Sequence, residues 1–487
     1  MRIFEQTSAM NSPGSTSYDE VPYVSVAYPQ SHPDRLATVA TLFGMTPPPV
    51  ESCRVLELGC ASGGNLLPMA CALPGARFVG VDLSQRAIAD GRRAIEELAL
   101  KNIELHALSI ADVGEEFGDF DYVISHGVFS WVPHEVQDKI LGLCSRQLAP
   151  NGVAYISYNT YPGWHLRGMI RDMMRFHAQH FDRTEQRVQQ ARALLDFLAE
   201  NTREEDPYGL ALRKELELIR KADDSYLLHE HLEDVNEPLY FHEFAARAAG
   251  HGLRYLGEAD VHAMAAHSFS AEVQATLRRL SANIVQSEQY LDFLRHRTFR
   301  QTLLCHQAAS LSRSVPGERI AAFHVASPAQ PIDGDGEFRG PHGAKLKTTH
   351  PLMRAAMLHL GAQWPRAIGF AELLRAIGVA DSDPELPGRV TRELGERLLR
   401  CYTASKLVEL HLTRPCYLVE VSGQPLASAY ARWQAATRND VTNLRHEGVL
   451  LCEAERRVLV QLDGTRAATN FDADTLMRFA RVALLVG

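Results

Sequence analysis

The chain has 487 residues, too many for one compact core, so two or three domains are expected. Its 46% apolar content is ordinary for a globular protein, and the net charge of -9 is spread along the chain, which argues against unselective nucleic-acid binding on a basic face. The 50 basic residues divide into 43 Arg and 7 Lys, a skew expected of a GC-rich bacterial genome, and the eight cysteines show no Cys-x-x-Cys spacing, which favours buried free thiols over disulfides or zinc.

The first residues, MRIFEQTSAMNSPGSTSYDE, are polar and lack the apolar core of a signal peptide. No run approaches a transmembrane helix in length, so no membrane insertion and a cytoplasmic location are expected. Residues 1–17 read as a loose tail, followed by a stretch carrying Tyr18, Tyr23 and Tyr28. A helix is predicted from Pro33, suited to the first helical position, through Leu36, Val39 and Phe43 to a stop at Gly44. Strands and helices then alternate. The strands are Arg54 to Leu58, Arg77 to Val81, Ile103 to Leu108, Phe120 to Ser125 and Gly152 to Tyr158. Between them lie helices at Asn65 to Leu73, Ser84 to Leu100 and Val136 to Leu148. Apolar strands alternating with helices predict an α/β fold, a parallel sheet covered on both faces.

Residues 165–235 break this rhythm and read as an inserted helical layer, with Val188, Ala191, Leu194, Leu195 and Leu198 on one helical face. A helix at 241–250 and strands at 253–256 and 299–305 complete the sheet. Residues 328–343, rich in Pro, Gly and Asp, read as a linker. Two or three short helices and a strand over 350–413 suit a winged-helix-like module.

The strongest local signal is VLELGCASGGN, residues 55–65. A strand ends at Glu57-Leu58-Gly59, a turn of small residues follows, and a helix begins whose N-terminus offers free N–H groups. Glu57 at the strand end suits a ligand with an amino group, such as the methionine part of S-adenosyl-L-methionine (SAM). Asp82 ends the second strand about twenty residues beyond the turn, where a carboxylate accepts hydrogen bonds from ribose hydroxyls. The two signals together are far more specific than a lone glycine turn.

On these residues the chain resembles class I SAM-dependent methyltransferases with a Rossmann-like sheet. More narrowly, it is similar to bacterial proteins with a methyltransferase regulatory domain, the group that contains the rickettsial protein lysine methyltransferases. The resemblance is carried by YDEVPY and YPQSHPDRLATVATLFGM (18–45), by VLELGCASGGN, by SHGVFSWVP (125–133) and by NGVAYISYNTYPGWHLRGM (151–169). It extends through 228–260 and 298–306 and is looser beyond. It implies SAM contacts from Glu57, Gly59, Ala61, Gly63 and Asn65, and from Asp82 with Leu83. It also implies an adenine contact just after the third strand, near Ser109, Ile110 and Asp112. Here the sequence departs from the group's pattern: Ser109 stands where Asp is common, and Ala61-Ser62 replaces Gly-Asp in the turn. Tyr18 and Tyr28 are expected to fold over the cofactor as a lid.

Methyl transfer from a sulfonium needs the acceptor in line with the S–CH3 bond rather than a metal. In a parallel sheet that place lies beyond the strands' C-terminal ends. The fourth strand delivers His126 and Trp131 there, and the fifth delivers Tyr158, Asn159 and Tyr161, the expected acceptor pocket. Equally, Phe129, Trp131 and Tyr161 could only pack the insertion against the sheet. No metal site is expected at His229-Glu230-His231, because helical neighbours two apart do not face one way. His242 and Glu243 read as solvated.

The expected divisions are 1–45 as tail and lid helix, 46–164 as SAM-binding core and 165–235 as helical insertion. A regulatory region completing the sheet (236–312), a linker (313–349) and a winged-helix-like domain (350–487) follow. The resemblance and the extra domains point to methylation of lysine side chains in a protein substrate. A small-molecule O- or N-methyltransferase shares the same core. A non-catalytic SAM-binding regulator contacting DNA through the winged helix is disfavoured by the acidic balance and few lysines. The oligomeric state stays open, a homodimer among the options.

Overall fold

The structure, a computed structural model, describes residues 25–332, 336–379, 386–415, 417, 418 and 420–486. Helix α1 (Pro33–Leu42) starts where His32 accepts a hydrogen bond from the Asp34 N–H and Pro33 presets the first turn. Then come β1 (Arg54–Leu58), α2 (Leu66–Ala72), β2 (Arg77–Asp82), α3 (Gln85–Glu97) and β3 (Ile103–Ala107). After them lie β4 (Phe120–Ser125), α4 (His134–Arg146) and β5 (Leu148–Asn159). The insertion comprises α5 (Gly163–Ala178), α6 (Thr184–Asn201), α7 (Pro207–Lys221) and α8 (Asp224–Leu227), the last running into a π-helical turn at Leu228–Leu232. The sheet is completed by α9 (Phe241–Gly250), β6 (Leu253–Glu258), α10 (Ala271–Leu280), α11 (Ile284–Arg295) and β7 (Phe299–His306).

The seven strands lie in the order β3-β2-β1-β4-β5-β7-β6. The first five are parallel, and β7 inserts antiparallel to both β5 and β6. The strand order reverses between β1 and β4, which opens a crevice at their C-terminal ends. Successive residues alternate between the two faces. Val55, Tyr122, Val153 and Tyr155 join the core built with α1 and α2, whereas Leu56, Leu58, Ala154, Ile156 and Tyr158 join the core under α4 and α9. The insertion has a core of its own, in which Ile170, Met174, Val188, Leu195, Leu212 and Leu216 interlock.

The stretch read as a linker is folded. Strands β8 (His324–Ala326), β9 (Gln330–Pro331), β10 (Glu337–Arg339) and β11 (Lys345–Lys347) form short antiparallel sheets, with Phe338 opposite both Pro331 and Leu346. Ala329 and Phe338 are buried in the main core. Gly and Pro mark tight hairpin turns as readily as open linkers, so composition alone misleads there.

The C-terminal part also differs from the single module read over 350–487. Helices α12 (Pro351–Gln363), α13 (Phe370–Ala376) and α14 (Leu386–Ala404) belong to the main core, with β12 (Ile368–Gly369) and β13 (Glu409–His411) flanking β8. A separate core forms from α15 (Ala429–Ala435), the hairpin β14 (Asp440–Thr442) and β15 (Gly448–Leu450), α16 (Glu453–Val460) and α17 (Ala473–Arg481).

Candidate active site

The turn after β1 is bent by backbone conformation. Gly59 has φ +78°, and a Cβ there would collide with Val128 Cγ2. The Gly59 and Cys60 N–H groups both donate to the Val81 carbonyl, at 2.8 and 3.1 Å. Ala61 also sits in the left-handed region at φ +47°, and its N–H donates to Asp82 Oδ2 at 2.8 Å. Asp82 Oδ1 accepts from the Ser84 N–H at 2.9 Å. The carboxylate at the tip of β2 therefore holds the turn after β1 in shape.

Glu57 lies on the face of β1 turned toward α1 and α2, and it is 3% exposed. Asn65 Nδ2 donates to Glu57 Oε1 at 2.7 Å, while Oε2 has no hydrogen-bond partner. Burial pushes this carboxyl up to about 8, against the pull of the Asn65 bond and with a smaller push from Asp82. A cationic amino group against Oε2 would supply both the missing partner and the countercharge. Asn65 Oδ1 is itself crowded with donors: the Tyr28 N–H at 2.9 Å and His446 Nε2 at 2.7 Å. His446 belongs to the C-terminal unit and has φ +64°.

One cavity of about 730 Å³ opens at these strand tips. Tyr28, Glu57, Gly59, Ala61, Asn65, Asp82, Leu83, Ser109, Ile110, His126, Trp131 and Asn159 all line it. Ser109 Oγ accepts from the Ala111 N–H at 3.2 Å, which caps the short turn Ile110–Asp112. His126 Nδ1 is 2.8 Å from the Tyr155 hydroxyl, and its ring centroid is 3.7 Å from that of Tyr28. Burial pulls the imidazole down to about 4, so it stays neutral. Asn159 Nδ2 donates to Asn236 Oδ1 at 3.0 Å.

Four expected residues stand elsewhere. Tyr158 precedes the cavity-lining Asn159 by one position and so points to the opposite face of the sheet, where its ring stacks on Phe244 at 4.2 Å. Its hydroxyl meets Thr302 Oγ1 at 3.1 Å. Tyr161 lies past the strand end and stacks on His165 at 4.0 Å, outside the cavity. Asp112 ends its turn in solvent, and Gly63 shapes the turn from behind, near Leu67 and Leu105, without lining the cavity. Tyr18 lies outside the described residues.

The insertion supplies walls that pattern reading did not assign: Trp164, Arg167, Tyr226, His229, Glu230 and Glu233, facing Phe299 of β7. Trp131 and Trp164 meet edge to face at 6.2 Å, and the Arg167 guanidinium lies 5.5 Å from the Trp164 ring centroid. The His229-Glu230 pair was visible in the sequence, but its direction depends on a π-helical turn. His242 is exposed, with Nδ1 2.9 Å from Gln289 Oε1.

The chain matches the family "Methyltransferase domain" over residues 49–197, "Predicted methyltransferase regulatory domain" over 223–306 and "PKMT, C-terminal winged helix domain" over 423–484. An uncharacterized protein of Rickettsia prowazekii (strain Madrid E) is 37% identical over 472 residues, which covers 92% of this chain and 83% of that one. A second uncharacterized protein of the same organism is 45% identical over 233 residues, 48% of this chain and 93% of its own. Among solved structures, PKMT2 from Rickettsia typhi is similar in complex with AdoHcy, with a TM-score of 0.84, and alone, with a TM-score of 0.85. In both cases the identity is 30%, and the match covers 96% of this chain and 100% of that one.

Proposed function

The chain belongs to the bacterial methyltransferase family that joins a methyltransferase domain to a methyltransferase regulatory domain and a PKMT winged helix, and from that membership we propose that it methylates lysine side chains of proteins. It is a SAM-dependent methyltransferase. When bound, SAM supplies a methyl group on a sulfonium, which makes the methyl carbon electrophilic. The orphaned Glu57 Oε2 suits the amino group of the methionine part, and Asp82 suits the ribose hydroxyls. Ser109 and Ile110 border the adenine end. Within this reading, residues 46–164 bind the donor, 165–235 wall the acceptor channel, and 236–312 complete the sheet.

A single observation carries the lysine reading. The same cavity continues past Gly59 to Trp131, Asn159, Trp164 and Phe299, leaving an aromatic channel for an aliphatic stem and an amine beyond the donor site. Asn159 presents a side-chain carbonyl and Gly127 a backbone near the channel, groups that can aim an amine lone pair. Neutral His126 adds no charge to repel an ammonium. Among the described residues no helix is long and apolar enough to cross a membrane, and seven cysteines are free thiols, in keeping with action in the cytoplasm.

Incubation with methyl-labelled SAM and a bacterial lysate tests the reading. Label should enter protein bands, hydrolyse to N-methylated lysine, and vanish when lysines are blocked beforehand. Label confined to small molecules overturns it.

A further inference from the structure

A lysine acceptor arrives as an ammonium with a free pKa of about 10.4 and no lone pair to attack with. Its proton must go somewhere before the methyl can move. His126 is poorly suited to take it: Nδ1 is occupied by the Tyr155 hydroxyl, the ring packs at a tilt against Tyr28, and burial weakens it as a base. At the far wall stands a different group.

The π-helical turn Leu228–Leu232 widens the helix by one residue, a distortion frequent at functional sites. It lets His229, Glu230 and Glu233 line the cavity together, while His231 turns inward to place Nε2 2.9 Å from Glu215 Oε1. Glu230 meets no hydrogen-bond donor among the described residues, and its charged neighbours are Arg167, Arg171 and Glu215. Both arginines hydrogen-bond to other groups, and of their buried nitrogens only Arg171 Nε is left without a partner among the described residues. Arg167 donates to Glu215 Oε1 at 2.9 Å and to the Tyr226 hydroxyl at 3.2 Å, and Arg171 donates to the Glu233 carbonyl. Glu230 thus faces the channel beside the Trp131, Trp164 and Tyr226 rings, with Arg167 and Arg171 near enough to steady its charge and Glu215 opposing them.

We infer that Glu230 is the carboxylate that receives the acceptor's ε-ammonium and removes its proton. The inference rests on lysine being the acceptor. One Nζ–H bond breaks, its electron pair stays on nitrogen, and the proton goes to a Glu230 oxygen. The neutral amine then bonds through its lone pair to the methyl carbon as the S–CH3 bond breaks, that bond's electron pair staying on the donor sulfur, and the methylated ammonium leaves as product. Glu230 returns its proton to water before the next cycle. Burial already pushes this carboxyl up to about 7, which matches it to proton transfer near neutrality. The groups facing it that can shift this balance are Arg167, Arg171, Glu215, Tyr226, His229 and Glu233.

The test uses the full chain, Glu230→Gln and Glu230→Asp, with methyl-labelled SAM and the lysate above, and AdoHcy affinity by calorimetry. Glu230→Gln should bind AdoHcy as the wild type does. It should label lysines about 10²-fold more slowly at neutral pH, the range for loss of a general base. The deficit should shrink as the pH approaches the free-amine value of about 10.4, where the acceptor deprotonates unaided. Glu230→Asp should fall between the two. Wild-type labelling by Glu230→Gln at neutral pH, a deficit that does not change with pH, or joint loss of AdoHcy affinity and activity would each overturn the assignment. A wild type that labels proteins but no lysine would instead remove the lysine reading, and this assignment with it.

Discussion

Glu57 is held closer to its acid form in the folded chain than it would be in an unfolded one. Its folded value of about 8 lies above the ordinary 4.5, so the stability it contributes is fully present below about 4.5 and is lost as the pH rises through about 8. Glu57→Gln should therefore leave stability unchanged in acid. Near pH 8 it should raise stability by on the order of a few kcal/mol, read by urea unfolding without ligand. The same variant should lose most AdoHcy affinity, because an amide cannot balance an ammonium. In the wild type, AdoHcy affinity should fall by up to about tenfold per pH unit below 8, since the bound state needs the ionised carboxylate. Ala61 offers a second check. A residue with a Cβ at φ +47° is strained by about 1 kcal/mol, which offsets the extra freedom glycine gives the unfolded chain, so Ala61→Gly should leave the urea unfolding midpoint close to that of the wild type rather than lower it. Glu57 and Asp82 were legible in the sequence because each ends a strand beside a turn whose chemistry is local. Asn159 and Tyr158 could not be told apart as easily, since a one-residue shift in strand phase exchanges cavity for core.

At the scale of elements, the alternation of strands and helices up to β5 was readable because period-2 and period-3.6 patterns of apolar residues persist through it. Direction at the insertion was not, because one π-helical turn rotates every side chain after it by an amount that no heptad count anticipates. Nor was the join between α1 and β13, which are nearly four hundred residues apart. Asp34 Oδ1 accepts from the Leu412 and Thr413 N–H groups at 2.9 and 3.0 Å, and Oδ2 lies 2.8 Å from His411 Nδ1. The bonds to Asp34 and Glu409 outweigh burial and push the His411 imidazole up to about 9. Asp34→Ala should cost about 3 kcal/mol in urea unfolding, the range for removing one partner of a buried ion pair. A loss confined to a few tenths would mean that α1 is held by packing alone.

For the whole molecule, the C-terminal unit is more than an appendage. Trp433 Nε1 donates to Glu97 Oε2 at 2.6 Å, and His446 Nε2 reaches Asn65 Oδ1, the residue that in turn holds Glu57. The sequence pointed to a winged-helix-like domain over 350–487 but not to where it docks, because contacts spanning 381 residues leave no local trace. His446→Ala strips a donor from a buried acceptor, a loss worth about 1–3 kcal/mol, so AdoHcy affinity should drop roughly tenfold in calorimetry with the fold intact by circular dichroism.

That one imidazole gives the molecule a tether between its tail and its methyl donor. Linkage is reciprocal: whatever free energy the docked tail lends to donor binding, a filled donor site returns to the tail. Stretched from its C-terminus in an optical trap, the unit should therefore undock at higher force when AdoHcy is saturating. Any pull on that end, by whatever grips it, would loosen the donor through Asn65 and Glu57 without touching it.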